Sequence, residues 1–190
     1  MNKKFELTSI TIEWKGRKLF RIKALKSFSD VKAGDLGGYI ENENNLSQWG
    51  NSWVYNTAKV YDKAIVCGDA VVFGNAEVFD YANVYGKATV YGNATVYGNV
   101  WVHGTSYIYG NARIHDNTEV YDNAKVCDNA EVYGNAWIYG NAEIYGNAKI
   151  YDTAEVFGDV NVCGDTEVFG NPKIYISSEI YDNTQVCSDT

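Results

Sequence analysis

Residues 130–147 read AEVYGNAWIYGNAEIYGN. The stretch is one six-residue phrase said three times: a small residue, a variable one, an aliphatic, an aromatic, Gly and Asn. Followed in both directions, the aliphatic recurs every six positions from Val54 to Val186, at 23 positions without a miss. Two residues earlier sits a small side chain, most often Ala, as at Ala58, Ala64, Ala70 and Ala76. Residues two apart on a strand point the same way, so the small residue and the aliphatic face a common interior and their neighbours face out. The Gly, Asp or Asn that follows, usually with a second Asn, belongs to types that accept the left-handed backbone of a tight corner. Each unit is therefore a short strand and a corner. Helical spacing of three and four is absent. A coil that closes after three units, 18 residues, is the economical solution, and residues 52–190 then supply nearly eight triangular coils. At about 4.8 Å per coil the body is roughly 35–40 Å long.

Units such as Ala136-Trp137-Ile138-Tyr139-Gly140-Asn141 resemble the hexapeptide repeat of left-handed parallel β-helix proteins. The resemblance covers residues 52–190 and implies an all-β, single-stranded left-handed parallel β-helix, an exception to the usual crossover handedness. The segment Val31-Lys32-Ala33-Gly34-Asp35-Leu36-Gly37-Gly38-Tyr39-Ile40-Glu41 is similar to the lead-in of YdcK-like and phage- or prophage-encoded hexapeptide proteins of polymer-forming or acyltransferase type. Trimeric assembly is common among such relatives, so the resemblance implies a homo-oligomer, a homotrimer first. A phage origin would imply a host protein as partner.

Ahead of the repeats, residues 5–26 predict two strands around Lys15-Gly16-Arg17, a β-hairpin cap. The expected division is 1–39 for cap and lead-in and 40–190 for the β-helix. Ile40 and Leu46 are six apart and predict an imperfect first rung; Leu46 to Val54 is eight, which predicts a two-residue bulge near Gln48-Trp49. The C-terminal end has no comparable plug, and either stacks on another molecule or discourages pairing through polar residues such as Ser188 and Asp189.

Net charge is −8 and unevenly placed: residues 1–34 hold nine Lys/Arg against three Asp/Glu, the remainder seven against 21. An acidic rod does not suit direct nucleic-acid binding. The basic residues Lys15, Arg17, Lys18, Arg21 and Lys23 either belong to a cap that simply closes the first coil or form a contact surface. The N-terminus has no apolar segment of signal-peptide type and no run reaches the roughly 18 apolar residues that span a membrane. A cytoplasmic protein is expected, in the host cytoplasm if phage-encoded.

Residues 18 apart stack on one face, so the outward ladders can be written down. The position after the aliphatic is aromatic in 17 of 23 units, and the other six are Cys67, His103, His115, Cys127, Cys163 and Cys187. Cys127 and Cys163 share a face but lie two coils apart, about 9–10 Å, beyond the roughly 7 Å a disulfide tolerates. The histidines fall on different faces, so no metal ligand set is expected and no cofactor is called for. The position before the aliphatic separates the faces. One alternates in charge (Lys59, Glu77, Thr95, Arg113, Glu131, Lys149, Glu167, Gln185). The second begins apolar with Trp53, Val71, Thr89 and Tyr107. The third gathers Trp101, His103, Tyr121, Trp137 and Tyr139 around Glu119.

Outward aromatics on so many coils read either as ladders that stiffen the sheets or as contact surfaces. Trp53, Tyr107, Trp101, His103, Glu119, Tyr121, Trp137 and Tyr139 are the candidate interface or ligand residues; no catalytic residue is assigned. The expected function is a non-enzymatic interaction protein that self-associates through its aromatic faces and binds a host protein or a small flat ligand. One alternative is an acyltransferase-like enzyme with His103 or His115 as base, although no loop interrupts the repeat to build a pocket. Another is an acidic mimic of nucleic acid, which the mixed-sign face argues against.

Overall fold

The computed structural model describes residues 3–175, 178–181 and 183–187; Ser188 and Asp189 lie outside them. The described residues form a triangular β-solenoid with three sheets of 11, eight and seven strands. Each rung is a strand of two or three residues, such as Trp101–Val102, paired in parallel with the residues 18 before and 18 after it: Trp101 with Asn83 and Glu119, Val102 with Val84 and Val120. The predicted inward positions are the core. Ala58, Val60, Ala112, Ile114, Ala136 and Ile138 are all fully buried. Where Ser106, Thr118 or Thr166 replaces the small Ala, its hydroxyl donates to the carbonyl three residues back, at 2.8, 3.0 and 2.6 Å, so the core carries no stranded donor there.

The corners divide labour between their two residues. The first is left-handed, whether Gly (Gly104, φ 69°) or Asp (Asp122, φ 56°). Space then favours Gly at position 104, since a Cβ there would meet Asp122 N at 2.6 Å. For the second residue, usually Asn, the sequence predicts the same left-handed tolerance. That residue instead builds hydrogen-bonded columns along the rod: Asn75, Asn93, Asn111 and Asn129 each donate to the Asn of the next coil at 3.0–3.1 Å, and Asn147 ends the column by donating to Asp165 at 2.8 Å.

The hairpin forms as read. Strand β1, Phe5–Trp14, runs antiparallel to β2, Arg17–Ala24. Lys15 and Gly16 both have positive φ, 48° and 76°, the two-residue turn that matches strand twist. Strand β3, Leu36–Ile40, pairs antiparallel with β2 and parallel with Lys59–Val60. The cap therefore extends the first sheet, with β3 joining the hairpin to the solenoid strands. The Gly37-Gly38 pair answers to space: a Cβ on Gly38 would lie 2.6 Å from Ala58 O, and one on Gly37 2.6 Å from Val54 O. Leu46 bridges Val66 in parallel, and the next rung begins at Trp53, so the extra residues of the first coil bulge between them.

Trp53 corrects the sequence reading. The repeat places it outward on the second face, but it is 1% exposed. The chain folds back over this first rung, and Phe5 and Phe28 meet the indole edge-on at 6.3 and 5.4 Å. Lys4 is buried beside it, its Nζ donating to Ser52 O at 2.9 Å and Ser52 Oγ at 3.2 Å, with Trp49 O and Gly50 O at 3.4 and 3.5 Å. Burial, reinforced by nearby Lys26, lowers its ammonium to a pKa of about 8.

The hairpin turn is tied to the second coil through Glu77. Its Oε2 accepts from Trp14 Nε1 at 3.1 Å, Lys15 Nζ at 2.8 Å and Tyr61 OH at 2.9 Å. Burial alone would raise this carboxyl; the donors outweigh it and hold it below the usual carboxylate range. Charge-assisted bonds of this kind contribute about 1.5–3 kcal/mol each, less where solvent screens them. Glu77→Ala should therefore lower stability by about 2 kcal/mol and raise hydrogen exchange in the hairpin turn before the solenoid. Unchanged turn exchange would show that the tie is idle.

Candidate interaction face

The positions after each aliphatic stack along the rod. On the third sheet Tyr85, His103, Tyr121, Tyr139, Phe157 and Tyr175 form one column, with neighbouring rings 4.6–5.3 Å apart and within 14° of parallel. The first sheet carries a matching column from Tyr61 through His115 to Phe169. On the second sheet Phe73, Tyr91 and Tyr109 stack, and Cys127 then takes the slot. Both histidines are thus rungs of an aromatic stack.

Their nitrogens are turned to carboxylates. His103 Nε2 lies 2.8 Å from Glu119 Oε1. His115 has Asp116 Oδ1 at 3.2 Å from Nδ1 and Glu131 Oε1 at 3.1 Å from Nε2. The His103–Glu119 pairing joins residues that the sequence reading had grouped. The equivalent His115–Glu131 pairing was not foreseen, although the offset of 16 residues is the same. Among the described residues no three His, Cys, Asp or Glu side chains are grouped to hold a metal ion, and all four cysteines are free thiols.

The three faces differ in what they leave uncovered. The first is covered by its own ion pairs, Arg113–Glu131 at 3.2 Å and Lys149–Glu167 at 3.6 Å. On the second, Tyr107 is exposed between Thr89 and the Lys125–Glu143 pair (2.6 Å). The third is the most apolar outward surface. Trp101 is 51% exposed and Trp137 45%, directly either side of Glu119 in the sheet register. Ile65 continues the exposed series, and Asn83, Tyr85 and Trp101 line a shallow notch in it. Tyr85 meets Trp101 edge-on at 6.2 Å. Trp101, His103, Glu119, Tyr121, Trp137 and Tyr139 are therefore one continuous patch. Tyr107 stands on another face, and Trp53 is beneath the cap.

The basic cap residues are partly spoken for. Lys15 holds Glu77, Arg17 pairs with Glu41 at 3.3 Å and also with Asp62, and Arg21 Nε donates to Gly37 O at 3.1 Å. Lys18 lies over the Phe20 ring and Lys23 stands opposite Glu6 in the hairpin register. Lys15, Arg17 and Arg21 thus have partners within the chain.

Among the described residues no helix is long and apolar enough to cross a membrane. Residues 88–104 match the family model of the YdcK β-solenoid repeat. No curated protein matches the chain.

Proposed function

From a β-solenoid whose repeat matches the YdcK family, we propose a rigid interaction scaffold that self-associates through its third sheet. The observation that carries this is the pair of half-exposed indoles, Trp101 and Trp137, on a stiffened sheet surface. Aromatic side chains are enriched at interface cores and dominate binding energy there. Their rigidity matters too: the strands and the neighbouring ring column hold the patch in place, so little is ordered on contact. Glu119 and Glu155 on the same face, within a chain of net charge −8, disfavour a polyanionic partner.

Trp101→Glu and Trp137→Glu are expected to weaken association by at least about 30-fold each, the effect of losing a hot-spot residue of about 2 kcal/mol. Native mass spectrometry and sedimentation across a dilution series would measure it, with circular dichroism confirming that the outward substitutions leave the fold intact. A chain whose mass is unaffected by both changes would reject this face.

A further inference from the structure

We propose that the third sheet joins two copies of this chain in an antiparallel, isologous dimer, with Trp137 of each copy entering the notch formed by Asn83, Tyr85 and Trp101 of the other. The proposal rests on the self-association reading and adds orientation, register and stoichiometry to it.

The face is corrugated with a period of two rungs. Down the column, Ile65, Trp101, Trp137 and Lys173 are exposed, while Asn83, Glu119 and Glu155 between them are only half-exposed. Knobs thus recur about every 9.6 Å with a gap between each pair. A two-fold axis along the rod would turn this column towards the partner's stack of Tyr85, His103, Tyr121 and Tyr139. A ring fills every rung there, so the knobs would meet no holes. An axis across the rod reverses one copy and sets the column against itself. Placed through a rung, it brings like to like, as with Glu119 on Glu119. Placed between rungs, it brings every knob to a gap.

One such position covers the whole column. With the axis between the rungs of Trp101 and Glu119, Trp101 meets Glu119 of the second copy, Trp137 meets Asn83, and Ile65 meets Glu155. Lys173 lies opposite the turn Glu43–Asn45, whose Glu43 carboxylate Lys3 holds at 2.7 Å. Moving the axis one rung towards the C-terminus leaves Ile65 overhanging. The carboxylates that become covered already have hydrogen-bond partners, Glu119 in His103 at 2.8 Å and Glu155 in Lys173 at 2.9 Å. The contact therefore leaves neither carboxylate without a donor. The resulting assembly is a closed dimer, in place of the trimer that the family resemblance implies.

Mass and distance together test it on the full chain. Native mass should give a dimer that Trp137→Glu converts to monomer. For distance, a spin label is placed at the corner residue Asn171→Cys or at Asn117→Cys, with Cys67, Cys127, Cys163 and Cys187 replaced by Ser. The Asn171 positions should lie seven rungs apart along the rod, about 34 Å, and the Asn117 positions one rung apart, about 5 Å, before the width of the contact is added. A dimer with both label pairs equally close, or a trimeric mass, would leave self-association standing and overturn this register. A chain that is monomeric at every concentration would overturn both.

Discussion

Trp53→Ala is expected to destabilise the chain by about 3–5 kcal/mol, the range for emptying a buried large aromatic site, without changing any self-association. The indole is 1% exposed and is the surface on which Phe5 and Phe28 rest. Truncation removes those contacts and loosens the segment that carries Lys4 and its bonds to Trp49, Gly50 and Ser52. β3 resists any slide of the cap into the space, because it is paired on one side with β2 and on the other with Lys59–Val60. Calorimetry should show a lowered melting temperature, and hydrogen exchange should rise first in β1 and β2. Trp137→Ala should do the reverse: an outward residue changes chain stability by no more than about 0.5 kcal/mol, while association falls. If Trp53→Ala melted like the parent and altered the native mass, the cap would not be seated as described.

That contrast marks where the sequence could be read and where it could not. Inside the repeat, a residue's orientation follows from its place in a six-residue phrase, since each strand is only two or three residues long and every corner resets it. Ala136 and Ile138 had to be inside and Trp137 outside, and they are. The hairpin was legible because Lys15-Gly16 between β-formers offers a turn with two positive φ angles. Trp53 was misread because its place in the phrase says outward, and the lid over it comes from Phe5 and Phe28, which no periodicity connects to it. Lys4 is hidden for the same reason: a buried ammonium is tolerable only where backbone carbonyls gather around it, and the bulge that gathers them is irregular. The Asn columns were visible, as Asn at 75, 93, 111, 129 and 147, but a conformational reason for Asn at corners seemed sufficient. The left-handed residue is in fact the preceding Gly or Asp, which frees the carboxamide to bond along the rod. The candidate face was legible in its members; its alternation of exposed and half-exposed rungs needed the exposures themselves.

Alkali should unfold the protein cooperatively above about pH 10, the ordinary tyrosine pKa. Burial raises the phenols of Tyr55 and Tyr61 well above their ordinary value, with added bonds to Asp30 and Glu77. A hydrogen bond with Cys127, together with burial, does the same for Tyr109. Burial in the third-sheet stack brings Tyr121 to about 12, and Tyr85, Tyr91, Tyr133, Tyr139 and Tyr151 shift in the same direction. The folded chain therefore keeps protons that the unfolded chain gives up from pH 10 onward. The stability these groups lend is fully present below pH 10 and is lost as pH climbs through their folded values. Lys4 acts with the opposite sign. Its folded pKa of about 8 lies below the unfolded 10.5, so the unfolded chain holds more protons in that interval and stability should rise slightly across it; Lys59, lowered by burial, adds to this. The expected profile is a shallow gain from about pH 8 to 10 and then a fall that steepens above about pH 10. Apart from the buried Tyr61, each ring is partly exposed and solvent screens its share, so the steepness comes from many stacked phenols titrating together. Phenolate absorbance and far-ultraviolet circular dichroism followed on the same samples decide the matter. Ring ionisation and loss of β signal should coincide. Tyrosines that ionise smoothly from pH 10 while the β signal persists would mean that the stacks do not protect their protons and contribute little to holding the coils together.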